Sequence, residues 1–189
     1  MNATKKAIWI WSEGNPKDII KKDYIEAGEK CKDIGDFSKF KTRDELRKAI
    51  YELKGWAENR LSIAYWQIMH DVAIGDIIVI NNNVSVKGNK YQHNLYGWGE
   101  VVSNCEYTTE GDNRIKRKVK WHHPLLANPV IADKMTNNIF FHKTTPEEAE
   151  QVKEVLFTNS KNITMDNRLK YYIDLLKANH NVIFNGAPG

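Results

Sequence analysis

The sequence predicts an α+β fold built as a small β-barrel with flanking helices. Three observations carry this. Strand-like and helix-like segments are mixed without the regular alternation of a doubly wound sheet. One strand is interrupted by Gly97 and Gly99, a spacing that suggests a bulge or a tight barrel bend. The chain of 189 residues, 41% of them hydrophobic, is long enough for one full domain with a buried core and not comfortably long enough for two.

Ala7-Ile8-Trp9-Ile10-Trp11 is a short β-branched and aromatic run that stops at a turn cluster, Ser12 to Pro16, and reads as the first strand. Asp18 to Gly28 reads as a short helix closed by Gly28. Thr42-Arg43-Asp44-Glu45 is a capping box, and Leu46, Ala49, Ile50 and Leu53 follow at helical spacing. A second helix is expected from about Asn59, with a stripe of Leu61, Ala64, Tyr65, Ile68 and Val72. Gly75-Asp76 turns into Ile77-Ile78-Val79-Ile80, a central strand. Asn81 to His93 reads as a polar loop, and Leu95 to Tyr107 holds the glycine-broken strand. After a turn at Glu110 to Asn113, Ile115, Arg117, Val119 and Trp121 alternate with Lys116, Lys118 and Lys120. Thr145-Pro146-Glu147-Glu148 is a second capping box, with proline at the first helical position, and opens a helix to about Phe157. Residues 158–164 read as a linker, Asp166 to Asn179 as a helix, and Asn181 to Gly189 as a strand entering a glycine loop.

The net charge of +4, from 28 basic and 24 acidic residues, permits a nucleic-acid partner without demanding one. No apolar run reaches the roughly 20 residues of a membrane span, and no signal-peptide pattern precedes the first strand. Two cysteines, Cys31 and Cys105, stand in no metal-ligand spacing, which fits a reducing cytoplasm. Six tryptophans and eight tyrosines supply core volume and also flat surfaces on which extruded bases stack.

No nucleophile elbow, His-Glu-x-x-His helix or paired nuclease carboxylates are present, so residues 1–157 are expected to bind rather than catalyse. The pair His122-His123 lacks a partner at ligand spacing, and no metal is expected. The densest basic stretch is Arg114, Lys116, Arg117, Lys118 and Lys120 followed by His122; such charges contact phosphates, or form a solvated strand face. Trp98 between two glycines suits base stacking, or the glycines merely relieve a barrel bend; Trp11 before a polar turn suits a pocket mouth, or core and rim packing; Trp66 and Trp121 read as core. The tail Val182-Ile183-Phe184-Asn185-Gly186-Ala187-Pro188-Gly189 reads as the opening of a phosphate loop, with Gly186 and Gly189 as its glycines, or as an ordinary strand and turn.

Ile34-Gly35-Asp36-Phe37, the block from Ser62 to Val79, Tyr96-Gly97-Trp98-Gly99-Glu100-Val101 and Arg117-Lys118-Val119-Lys120-Trp121 occur in an order that resembles the EVE-type, PUA-like domain at the N-terminus of McrB-type restriction proteins. The tail resembles the entry to the AAA+ domain of the same proteins. The resemblance implies a recognition domain over 1–157, a linker over 158–164 and the truncated start of an AAA+ P-loop domain over 165–189. It implies binding of double-stranded DNA carrying a modified base, N6-methyladenine ahead of 5-methylcytosine, by flipping the base into an aromatic pocket. Trp11, Ser12, Cys31, Gly97 and Trp98 are the pocket candidates. Where such domains often carry a tryptophan before the Ile-Gly-Asp stretch, this chain has Cys31. The recognition domain itself is expected to use no cofactor. The full-length protein is implied to hydrolyse GTP or ATP with magnesium, as a hexameric AAA+ ring working with a McrC-like nuclease subunit. A PUA-like RNA-binding module is the alternative.

Overall fold

A computed structural model of the protein describes residues 6–12, 16–19, 21–55, 58–86, 90–112, 114–122, 130–132 and 140–158. The tail with Gly186 and Gly189, the linker from residue 159 onward, Trp56 and His123 lie outside the described residues.

The fold is mixed α+β, with a sheet that curls into a half-barrel. Strands β1 (Ile8–Trp11), β2 (Tyr24–Ala27), β3 (Ile77–Val86), β4 (Lys90–Val101), β5 (Glu106–Tyr107), β6 (Ile115–Trp121), β7 (Val130–Ala132) and β8 (Phe141–Lys143) form it. Their order is β2-β6-β4-β3-β1-β8, with β5 paired to β6 and β7 to β4. The pair β1–β3 is parallel and the others are antiparallel. The helices are α1 (Pro16–Ile19), α2 (Arg43–Lys54), α3 (Glu58–Trp66) and α4 (Pro146–Val152); α3 and α4 each run on into a π-helical turn.

Both capping boxes form. Thr42 Oγ1 accepts from the Glu45 amide and Thr145 Oγ1 from the Glu148 amide, and each glutamate returns a bond to its cap. Leu46 and Ile50 of α2 are buried as the spacing predicts, while Leu53 is exposed. One face of the sheet is covered by the α2 and α3 region, and the other is covered over β1, β3 and part of β4. On one face Trp9, Trp11, Ile78, Ile80, Ile115, Val119 and Trp121 pack with Leu46, Ile50, Ala64, Tyr65 and Ile68 of the α2 and α3 region. On the other Ile8, Ile10, Ile77, Val79 and Leu95 pack with Val152 and Leu156 of the α4 segment.

Two expectations fail. The stretch from Asp18 to Gly28 is not one helix: α1 stops at Ile19, and Tyr24–Ala27 pairs with Ile115–Lys118 as β2. A distant strand supplies the hydrogen bonds, and Ile25 and Ala27 face the core at a period of two. Gly28, with φ 108°, then opens a 3₁₀ turn rather than closing a helix. Asn81 to His93 is not a loop either. The ladder continues through Asn82↔Asn94 to Val86↔Lys90, a long ribbon whose outer strand also pairs with β7. The bulge expected near the glycines is present: Ile80 faces Gly97 and Asn81 faces Leu95, so Tyr96 is the extra residue.

Candidate nucleic-acid interface

Strand β1 ends in an aromatic cluster. Trp11 is 3% exposed and meets Phe140 and Phe141 edge-on, at centroid distances of 6.2 and 5.8 Å. Phe140 in turn meets Tyr65, which meets Phe37. Cys31 is fully buried in the same cluster, and burial pushes its thiol pKa up. Indole N–H groups in a core need acceptors. Trp9 Nε1 donates to Asp76 Oδ2 at 2.9 Å and Trp121 Nε1 to the Lys22 carbonyl at 2.6 Å. Trp11 Nε1 is equally buried and has no hydrogen-bond partner.

Ser12 follows on the opposite face. Its amide donates to the Phe140 carbonyl at 2.7 Å, and its hydroxyl accepts from Asn81 Nδ2 at 2.7 Å. Asn81, itself buried, also contacts Asn83 Oδ1 at 2.6 Å and His93 Nδ1 at 3.1 Å, while its Oδ1 has no partner. Burial holds the His93 pKa below the ordinary imidazole value, and neighbouring His142 lowers it further.

The pocket candidates therefore separate. Trp11 and Cys31 share the aromatic cluster. Trp98 packs on the α4 side with the aliphatic set, because the extra Tyr96 turns the alternation of β4 over. Its ring is stacked on His122 at 3.7 Å and 20°. Gly97 is buried in the ladder opposite Ile80.

The basic stretch separates too. Arg117 is 4% exposed and donates to the carbonyls of Ile68, Met69 and Ser103, tying β6 to the π-helical turn after α3. Arg114 is buried and donates to the Lys32 and Gly111 carbonyls. Both guanidiniums are spent on backbone carbonyls, which removes them from the expected phosphate contacts. Lys118, Lys120 and His122 are exposed, and Lys116 is half-buried with its ammonium 3.5 Å from the centroid of the Tyr24 ring.

Asp76 is the residue that sequence reading passed over as part of a turn. Buried at 7%, it accepts from the Ala7 amide, from Trp9 Nε1 and from the Ala73 amide at 2.9, 2.9 and 3.0 Å. Among the described residues no group of three or more His, Cys, Asp or Glu side chains could hold a metal, and no helix is long and apolar enough to cross a membrane.

No family model matches the chain. Among curated proteins, the mitochondrial ubiquinol-cytochrome-c reductase complex core protein 2 of Euglena gracilis is 30% identical to it over 83 residues, 44% of this chain and 17% of that protein. The chain thus spans well under two thirds of that relative's length.

Proposed function

We propose that the domain binds double-stranded DNA carrying a modified base, N6-methyladenine ahead of 5-methylcytosine, by taking the flipped base against the aromatic cluster at the end of β1. On this reading the fold is PUA-like and EVE-type. The chain serves as the specificity module of a cytoplasmic, McrBC-like restriction system whose full-length protein hydrolyses GTP or ATP.

The observation that supports the reading is the buried Trp11 Nε1–H without an acceptor, beside tryptophans whose N–H groups are both satisfied. An unmet donor of this kind costs roughly 1–3 kcal/mol and calls for an explanation. A base edge brings the missing acceptor. Phe140 is half-buried and edge-on to Trp11, and on this reading it is the side chain an entering base meets. Flipping costs a few kcal/mol, and aromatic stacking returns about 1–3 kcal/mol per base. One buried methyl adds only about 0.8 kcal/mol, so discrimination needs a directed hydrogen bond as well as area.

Short duplexes, each carrying one modification, together with the matching RNA, provide the test. Tighter binding of the methyladenine duplex than of the plain one is expected. Trp11→Phe, which keeps a ring and removes the N–H, should reduce that preference about two- to tenfold, the worth of one neutral hydrogen bond. Equal affinity for all DNA duplexes would sink the proposal, and preference for the RNA would favour the PUA-like RNA-binding alternative.

A further inference from the structure

We infer that the outer face of β2, β6 and β4 is a second, separate nucleic-acid surface, one that takes the phosphodiester backbone and does not read bases. The inference does not rest on the modified-base reading.

The sheet alternation puts Ile25, Ala27, Ile115, Arg117, Val119 and Trp121 inward. The residues between them, Tyr24 and Glu26 on β2 and Lys116, Lys118 and Lys120 on β6, face the other way, with Trp98 and Glu100 of β4 on the same side. Residues two apart on a strand are about 6.7 Å apart. That spacing lets a row of ammonium groups follow the run of phosphates along one nucleic-acid strand.

Glu26 and Glu106 flank Lys116 and Glu100 stands opposite Lys120 in register, yet with Lys6 and Lys22 the lysines of this face outnumber these glutamates five to three. Glu26 pairs with Lys22, and Glu100 pairs with Lys6 at 3.0 Å. Glu106 of β5 lies across from Lys116. Among the described residues, none of Lys116, Lys118 and Lys120 makes an ion pair. The aromatic rings present are engaged with cationic or imidazole groups: Lys116 sits over Tyr24, and His122 stacks on Trp98. Rings occupied in this way hold charges in place and do not offer platforms for bases.

The surface is also remote from the Trp11 cluster. It lies on the opposite face, and β6 stands three strands from β1, roughly 14 Å along the sheet. Contacts so far apart, with no shared partner, should act independently.

The test is binding of the whole chain to a plain duplex across a range of salt concentrations, read by fluorescence anisotropy. Lys116→Ala, Lys118→Ala and Lys120→Ala together should lower the slope of log affinity against log salt by about 2.7, at about 0.9 for each phosphate no longer neutralised. The corresponding arginine substitutions should keep the slope and so show that the effect is charge and not folding. Trp11→Phe should leave the slope unchanged, and its effect should multiply with that of the triple variant. An unchanged slope in the triple alanine variant overturns the inference. So does a wild-type chain with no affinity for plain duplex at low salt. If no modified base is discriminated but the slope still falls, this surface stands and the modified-base reading does not.

Discussion

One face of the sheet sets tryptophan and phenylalanine among its isoleucines and valines under α2 and α3; the buried residues of the other are chiefly isoleucine, valine and leucine, under the α4 segment. The isoleucine, valine and leucine side chains of the aliphatic face bring no polar atoms of their own into the core. The aromatic face buries large rings whose N–H groups must each find an acceptor. Asp76 and the Lys22 carbonyl serve two of them, and Trp11 is left over. The aliphatic face ends instead in a polar patch of Ser12, Asn81 and His93, beside the buried pair His142 and Glu148. The lesson is that the two faces of this sheet place their polar demands differently: within the aromatic cluster on one, at its end on the other.

Three substitutions bear on this contrast. The largest effect is expected at Asp76. Asp76→Ala strands three N–H donors, one of them on Trp9, and should cost about 3–5 kcal/mol in a urea titration. A loss below about 1 kcal/mol would show that water replaces the carboxylate and that the aromatic face has no such dependence. A middle effect is expected at Gly99. A Cβ there would lie 2.5 Å from both Trp121 Cε3 and Val119 Cγ1 and 2.9 Å from the Lys120 carbonyl oxygen. Gly99→Ala should therefore destabilise by about 1–3 kcal/mol through overpacking, read from the thermal midpoint. No change would mean that the indole swings aside freely.

The smallest effect at neutral pH is expected at His93. Its folded-state pKa lies below the ordinary value of 6.5, so the unfolded chain binds more protons as pH falls. Stability from this group is full above about pH 6.5 and erodes below it, towards the folded-state pKa. His93→Gln should cost about 1 kcal/mol or less at pH 7.5 and make the acid limb of a stability–pH curve shallower. His70, whose pKa burial also lowers, keeps part of that limb in the variant. An acid limb identical to wild type would show that His93 does not set it.

Features decided by neighbouring residues were legible in the sequence. The capping boxes at Thr42 and Thr145 formed because Ser/Thr-x-x-Glu closes on itself within one turn. The lysine strand appeared as written, since a period of two needs no information from elsewhere. What escaped depends on distant partners. Tyr24–Ala27 became a strand because β6 lies beside it, and Asn81–Asn83 kept ladder bonds that their polar side chains disguise. The same pattern already grouped Arg117 with Ile115 and Val119 on the inward side, yet its charge suggested phosphate; three carbonyls that converge on it decide otherwise. Of the pocket candidates, the strand ending in Trp11 was readable and the separation of Trp98 from it was not, because a bulge reverses the parity on which such reading depends.

That bulge has a consequence for how the chain tolerates change in length. Tyr96 is a surplus residue: Asn81 and Leu95 below it and Ile80 and Gly97 above it are already matched in facing and in register. Loss of one codon there would straighten the ribbon while every flanking side chain kept its side, whereas loss of one codon within Ile77–Ile80 would turn part of the sheet inside out. The gene thus has, in the middle of its most tightly paired strands, one position where drift in length is harmless to the pattern and where Trp98 stays on the lysine side whatever the outcome.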